Sequence, residues 1–207
     1  MKQLFLTSEV NLVAKDIINK IETKSGKFRT AYIITPIEKG HANDDLEWHV
    51  ENKKSMLEAG FDIFEYTITN KNINDFNDDL SDVDIIYVEG GSLTHMLRQV
   101  KVTGFDKFIV DFVDSGKPYI GTSTGSFIAS TDTEAGLSLE NHFENDFNPE
   151  GIGLVNFLVM PHWGTEDFRE HYLKMPSIAY QTKTPMIILN DNQYVWVQGN
   201  KFEIVSI

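Results

Sequence analysis

Residues 118–129 read PYIGTSTGSFIA and join a short apolar run to a segment that can open a helix. Pro118 to Ile120 predict a buried strand, and residues 121–125 match the pattern G-x-S-x-G around Ser123. On a sharp turn between a strand and a helix, this pattern forms a nucleophile elbow, because the turn lifts the serine oxygen clear of the backbone. An isolated pentapeptide of this kind is more often an ordinary glycine-rich turn. The surrounding chain therefore has to decide between the two interpretations.

Strand and helix patterns alternate along the whole chain. Apolar residues recur at spacings of three and four from Val10 to Ile21, which predicts a helix, and Ser8 is its candidate N-cap. Further helices are predicted over 44–59, 93–100, 105–113 and 166–174, and strands over 3–6, 29–35, 61–67, 84–88, 118–120, 157–160, 186–189, 194–198 and 202–205. This order predicts a single α/β domain over 1–207. Its fold is a three-layer sandwich with a mostly parallel central sheet, helices on both faces and a C-terminal β-hairpin.

Composition excludes several classes of function. The 207 residues include no cysteine, so disulfides, thiolate metal sites and cysteine nucleophiles are excluded. The net charge of −13 disfavours binding to the phosphate backbone of nucleic acids, which needs a basic patch. The apolar run before Glu9 is too short for a signal peptide, and no segment predicts a membrane span. We therefore expect a cytoplasmic protein, monomeric or homodimeric, without a nucleic-acid or membrane partner.

Three polar or glycine-rich signals follow predicted strands. Gly90-Gly91-Ser92 follows the fourth strand, Ser123 the fifth and His162 the sixth. Ligands of an open α/β sheet bind beyond the carboxyl ends of its strands, so we expect the three signals at one edge of a single sheet. The glycine pair could also cradle a phosphate, but it lacks the Lys-Ser/Thr of a P-loop and the third glycine of a dinucleotide fingerprint.

These residue types suit acyl transfer. Ser123 would be the nucleophile, His162 the general base and Asp191 the carboxylate that orients the imidazole. The backbone N–H groups of Thr124 and Gly91 would bind the oxyanion. The alternatives are a histidine that merely closes a strand and an aspartate that forms the turn 190–192. This chemistry needs no cofactor, and no spacing recommends a metal site. The remaining histidines, at positions 41, 49, 95, 142 and 171, are interpreted as structural.

The order strand–Gly-Gly–helix, then Pro-Tyr-Ile-Gly-x-Ser-x-Gly, then Gly-Leu-Val-x-Phe and Pro-His resembles the peptidase E family. Its members are aspartyl dipeptidases related to cyanophycinases. The stretch 153–157 leading into Pro161-His162 is the most specific part of the match. The resemblance implies a fold like that of class I glutamine amidotransferases, with Ser123 in place of their cysteine and His162 as the base. The family's third member is a glutamate after a late strand, and the matching residue here is Asp191.

The sequence also departs from the family pattern. Ser92 stands where the family usually has asparagine, and Thr124 where it has alanine. The resemblance implies that Arg169 pairs with an acidic substrate side chain, although a helix-surface ion pair explains this arginine equally well. Glu134, in the acidic stretch 131–150, is a candidate for binding the substrate's amino terminus.

These observations lead to two hypotheses about function. The first is serine-dependent hydrolysis of dipeptides or other small amides through an acyl-enzyme at Ser123. The second is a catalytically degenerate protein of the same fold that binds a ligand or a partner, because fold does not fix function. A glutaminase of the amidotransferase type is disfavoured, because the chain has no cysteine. Reactivity of Ser123 separates the first two.

Overall fold

The computed structural model describes residues 1–39, 46–139 and 149–207. The strands are β1 Gln3–Thr7, β2 Arg29–Ile33, β3 Asp62–Tyr66, β4 Ile85–Val88, β5 Tyr119–Thr122, β6 Leu158–Met160, β7 Met186–Ile188, β8 Gln193–Gln198 and β9 Lys201–Ser206. The helices are α1 Val10–Lys20, α2 Glu47–Ala59, α3 Ile73–Asp79, α4 Leu93–Thr103, α5 Phe105–Asp114, α6 Thr124–Ile128, α7 Glu134–Leu139 and α8 Arg169–Gln181. Short 3-10 turns occupy Thr35–Glu38 and Glu166–Phe168.

A seven-stranded sheet forms the centre of the fold, in the order β3-β2-β4-β5-β1-β8-β9. The first five strands in this order pair in parallel, whereas β8 and β9 form an antiparallel hairpin beside β1. The mostly parallel sheet and the C-terminal hairpin predicted from the sequence are confirmed. The carboxyl ends of β4 and β5 lie next to each other at one edge of this sheet, which places Gly90 and Ser123 side by side.

Both faces of the central sheet are covered by helices. In β1, Leu4, Phe5 and Leu6 are all fully buried, as expected for a strand packed on both sides. Phe5 packs in a cluster with residues of α1 and α2, whereas Leu4 and Leu6 join the cluster that contains residues of α4, α5 and α6. The predicted three-layer arrangement is therefore observed, and burial of these apolar side chains supplies its main stabilising term.

The strand that precedes His162 departs from the predicted topology. Instead of joining the central sheet, β6 pairs in parallel with β7 in a separate two-stranded sheet. Both edges of β1 are already occupied, one by β5 and the other by β8. The expectation that all three polar signals lie at the edge of one sheet is therefore wrong, because His162 and Asp191 both follow strands of the small sheet.

Two local predictions also need correction. Ser8 does not cap α1, since the N-cap position is Glu9 and its side chain makes no capping hydrogen bond. No helix was predicted in the acidic stretch 131–150, but it contains α7, whose apolar residues are buried. His41 and His142 lie outside the described residues. None of the described helices is both long and apolar enough to cross a membrane.

Candidate active site

Ser123 lies on the sharp turn between β5 and α6. Its backbone has φ 49° and ψ −106°, a conformation that a non-glycine residue rarely adopts. The turn is held because the carbonyl of Ser123 accepts hydrogen bonds from the N–H groups of Ser126 and Phe127, at 2.9 and 3.0 Å. Neighbouring backbone also fixes it, since the Ser123 N–H donates to the carbonyl of Thr7. A strained turn from a strand into a helix is the arrangement that a nucleophile elbow requires.

The two glycines of the elbow are required by close backbone contacts. A Cβ atom on Gly121 would lie 2.4 Å from the carbonyl oxygen of Gly125. A Cβ atom on Gly125 would lie 2.2 Å from the carbonyl oxygen of Val88, in the neighbouring strand β4. Only glycine allows the turn to approach the backbone this closely. The motif is thus a packing requirement of this elbow and not a loose turn sequence.

His162 faces Ser123 from the end of β6. Its Nε2 lies 3.0 Å from Ser123 Oγ, within hydrogen-bond distance. The backbone φ of His162 is 64°, and this unusual conformation is supported by its N–H, which donates to Ser8 Oγ at 2.7 Å. The ring of Phe168 stacks on the imidazole, with ring centroids 4.1 Å apart. The imidazole is consequently only 8% exposed and held in one orientation.

Asp191 lies behind the imidazole, in the turn that follows β7. Its Oδ1 is 2.9 Å from His162 Nδ1 and also accepts the hydroxyl of Ser8 at 2.6 Å, while its Oδ2 accepts the hydroxyl of Thr165 at 2.8 Å. Burial opposes the charge of this carboxylate, but the hydrogen bonds from His162, Ser8 and Thr165 outweigh it and lower its pKa to about 2. The side chain is therefore ionised at neutral pH and fixes the proton of the imidazole on Nδ1.

The glycine turn after β4 lies beside the serine elbow. Gly91 has φ 127°, and a Cβ atom on it would lie 2.6 Å from the carbonyl oxygen of Pro36. The hydroxyl of Thr124 donates to the carbonyl of Gly91, so the residue after the nucleophile anchors this turn. Ser92 accepts the N–H of His95 and caps α4. Two of the departures from the family pattern thus have local structural roles.

A cavity of about 90 Å³ opens next to Ser123 and His162. Gly91 and Thr124 form part of its wall, so the candidate nucleophile, base and oxyanion donors all border the same space. Most of the other lining side chains are apolar or aromatic: Leu93, Phe127, Leu139, Met160, Phe168 and Tyr172. A small substrate bound here would bring its reacting carbonyl against the serine.

The sequence matches the model of Peptidase family S51 over residues 6–205. The chain belongs to peptidase family S51. An uncharacterized peptidase of Listeria monocytogenes is 28% identical over 204 residues, which cover 97% of each chain. A Peptidase E of Shewanella baltica is 26% identical over 133 residues, which cover 61% of this chain and 55% of the relative.

Two solved structures share the fold of this chain. The crystal structure of a candidate Peptidase E protein from Listeria monocytogenes superposes with a TM-score of 0.84 and 24% identity, covering 100% of this chain and 99% of the other. A peptidase from an acI-B1 actinobacterium superposes with a TM-score of 0.74 and 17% identity, over 100% and 88% of the two chains. The resemblance to the peptidase E family, the fold class and the prediction of a peptidase are confirmed.

Two further residues predicted to bind substrate lie apart from the cavity of this S51 peptidase. Arg169, at the start of α8, is exposed and pairs with Glu166 at 3.2 Å, which is the helix-surface ion pair that the sequence left open. Glu134 is exposed at the start of α7. Neither side chain lines the cavity.

Sequence reasoning missed Ser8 and Thr165, whose hydroxyls both bind Asp191. Ser8 directly follows β1, the strand that pairs with β5, so the strand order would have placed it beside the elbow. Thr165 gives no comparable signal, because it reaches the site only through the turn after His162. Both hydroxyls hold the carboxylate and not the reacting atoms.

Glu89 was also missed, although a charged residue directly after an apolar strand is a visible signal. Its fully buried carboxylate accepts hydrogen bonds from the hydroxyl of Tyr87 at 2.9 Å and the amide of Asn52 at 3.1 Å, and also from the hydroxyl of Tyr32. It further accepts the N–H of Gly90 at 2.8 Å and lies 3.1 Å from Nδ1 of His49. A buried charge persists only with such partners, and this one holds the first residue of the glycine turn.

Proposed function

We propose that this S51 peptidase hydrolyses dipeptides or other small amides through an acyl-enzyme on Ser123. The observation that carries the proposal is the hydrogen-bonded series Ser123 Oγ, His162 Nε2, His162 Nδ1 and Asp191 Oδ1, with distances of 3.0 and 2.9 Å. This arrangement is the one that activates a serine hydroxyl for nucleophilic attack.

In the proposed reaction, Ser123 Oγ attacks the carbonyl carbon of the amide while His162 Nε2 takes the hydroxyl proton. Asp191 stabilises the imidazolium that forms. The N–H groups of Thr124 and Gly91 bind the oxyanion of the tetrahedral intermediate. His162 then gives its proton to the leaving amine, and the C–N bond breaks. A water molecule, deprotonated by His162, attacks the acyl-enzyme and releases the acid together with free Ser123.

Several features support catalysis over a degenerate binding protein. The residues that depart from the family pattern fit the site without disrupting it: Thr124 anchors Gly91, Ser92 caps α4 and Asp191 lies within hydrogen-bond distance of His162. The strained backbone of Ser123 and His162 is also costly, at roughly 1–3 kcal/mol for each residue, and such strain concentrates at functional sites.

Hydrolysis of a dipeptide panel tests the proposal. Purified protein is incubated with dipeptides that begin with Asp, Glu, Asn, Leu or Ala, and release of the second amino acid is measured. Ser123→Ala is expected to lower kcat by at least about 10⁴-fold. Ser81→Ala, at an exposed position of the surface, serves as the control for loss of a hydroxyl. Equal turnover by the wild type and Ser123→Ala would contradict the proposal. The absence of turnover by either protein would favour the catalytically degenerate binding protein.

A cytoplasmic location, a monomeric or homodimeric state and the absence of a nucleic-acid partner stay predictions of the sequence, as does the single domain over 1–207. Size-exclusion chromatography with light scattering distinguishes the monomer from the homodimer. A larger or heterogeneous assembly would contradict both.

A further inference from the structure

We propose that the cavity beside Ser123 binds an aliphatic side chain, so that the preferred substrates carry leucine, methionine or valine, and not an acidic residue, on the acyl side of the scissile bond. The inference rests on the proposed function, because it assigns the side-chain specificity of the same site. Three observations carry it: the lining of the cavity, the distribution of cations in the chain and the volume of the cavity.

The position of the cavity relates it to the acyl side of the substrate. Ser123 and the candidate oxyanion donors Gly91 and Thr124 all border it. A carbonyl placed between the serine oxygen and these two N–H groups therefore carries the neighbouring side chain into the cavity. The lining side chains include Leu93, Phe127, Leu139 and Met160, and each of the four is at most 8% exposed. Such a wall favours binding of an apolar substrate side chain, because binding removes the apolar surface of that side chain from water.

An acidic substrate side chain would need a permanent cation such as lysine or arginine, and the described residues that line this cavity include neither. The two segments outside the described ranges, 40–45 and 140–148, contain no lysine or arginine in their sequence. Arg169 is paired with Glu166 on the surface of the protein. A carboxylate in the cavity would thus lose its hydration without gaining an ion pair, which is strongly unfavourable.

The volume of the cavity limits the size of the side chain. At about 90 Å³ it is smaller than the roughly 150 Å³ of an engineered cavity that accommodates benzene. The wall is also tightly packed where Gly136 meets Phe127, because a Cβ atom on Gly136 would already lie 2.8 Å from the ring of Phe127. We therefore expect branched or unbranched aliphatic side chains to bind better than phenylalanine.

Steady-state hydrolysis of p-nitroanilides of Leu, Met, Val, Ala, Phe, Asp and Lys by the wild-type protein tests this specificity. Each methylene buried in the cavity is expected to raise kcat/KM about fourfold, so Leu should exceed Ala by on the order of fiftyfold. Leu should exceed Asp by at least about a hundredfold. Values of kcat/KM for Asp that equal or exceed those for Leu would overturn the inference, including the case in which a second subunit supplies the cation.

A charge introduced into the wall provides a second test. His171 lines the cavity from α8, so His171→Arg places a guanidinium there and should raise the Asp-to-Leu ratio of kcat/KM at least tenfold. Gln181→Arg is the matched control, because it adds the same residue at an exposed position of the same helix and should leave the ratio unchanged. An equal rise of the ratio in both variants would attribute the effect to overall charge and overturn the inference.

Binding to Ser123→Ala separates this inference from the proposed function. Calorimetric titration of the variant with Leu-Ala and with Asp-Ala measures the preference of the cavity without turnover. Tighter binding of Leu-Ala, by at least about tenfold, supports the aliphatic cavity even where the wild type proves inactive. Equal binding or tighter binding of Asp-Ala overturns the inference even where Ser123 proves to be the nucleophile.

Discussion

The carboxylate of Asp191 accepts three side-chain donors, and only one of them, His162, faces the serine. Ser8 and Thr165 hold the carboxylate so that its charge meets the imidazole Nδ1. The low pKa that results has a consequence for stability. Asp191 stabilises the fold above its ordinary pKa near 3.8, and this contribution is lost as the pH falls towards about 2.

Replacement of this charge should disable the base. In Asp191→Asn the side-chain amide can donate to Nδ1, which favours the tautomer with the proton on Nε2, and Nε2 then cannot accept the proton of Ser123. We expect kcat for the best substrate to fall by about 10⁴-fold with little change in KM. Asp132→Asn is the control, since that carboxylate binds Thr184 away from His162. A decrease below tenfold for Asp191→Asn would contradict this role.

Glu89 influences the reacting atoms indirectly, because its carboxylate binds the N–H of Gly90. Glu89→Gln keeps the shape of the side chain but removes the charge that gathers Tyr32, Tyr87 and Asn52 around it. A glycine turn that is held less firmly should lower kcat by about ten- to a hundredfold while KM changes less than threefold. The corresponding change at a half-exposed carboxylate, Glu65→Gln, should leave both constants unchanged. A rise in KM as large as the fall in kcat would show that Glu89 serves substrate binding instead.

At the scale of the elements, the elbow depends on how closely α6 approaches β4. In Gly125→Ala the new methyl group would lie 2.2 Å from the carbonyl oxygen of Val88, so the helix must move away from the strand. We expect a loss of at least about 2 kcal/mol in the free energy of unfolding and loss of activity. Gly26→Ala, at φ 68° with no atom within 4 Å, measures backbone strain alone and should retain activity. Denaturant unfolding and the p-nitroanilide assay check both.

The elements show which parts of this fold are predictable from local sequence. The strand–turn–helix at Ser123 was predictable, because apolar residues and two obligatory glycines encode it within 12 positions. The pairing of β6 with β7 was not, because a three-residue strand carries no information about which sheet edge remains free. Because the pairing of these two strands was not predictable, the only sequence signal that brought Asp191 near His162 was its position after a predicted strand. Ser8 was misinterpreted as a helix cap, since its true partner lies 183 positions away.

At the scale of the whole molecule, buried acids link the site to the stability of the fold. Burial, together with repulsion from Glu89 and Asp191, raises the pKa of Glu9 from its ordinary value near 4.5 to about 8. Between these two values the unfolded chain has lost a proton that the folded chain retains. The free energy of unfolding should therefore decrease as the pH rises from 5 to 8, by on the order of 1 kcal/mol per pH unit from this residue.

Thermal or urea unfolding at a series of pH values measures this effect. Glu9→Gln should remove most of the decrease and should be more stable than the wild type at pH 8, while Glu22→Gln, near the end of the same helix, should follow the wild-type profile. A single cooperative transition is also expected in each case, since the two apolar clusters share the central sheet. A pH profile of Glu9→Gln that matches the wild type would show that this carboxyl is already ionised in the fold.

In the proposed mechanism, Ser123 forms the acyl-enzyme and His162 acts as its base. The most direct measurement is peptide mapping by mass spectrometry after reaction with a fluorophosphonate, which modifies activated serines covalently. We expect one adduct, on Ser123, at a rate that falls at least about 10³-fold in His162→Ala while the fold is retained. An adduct on another serine, or equal labelling of Ser123 with and without His162, would contradict it.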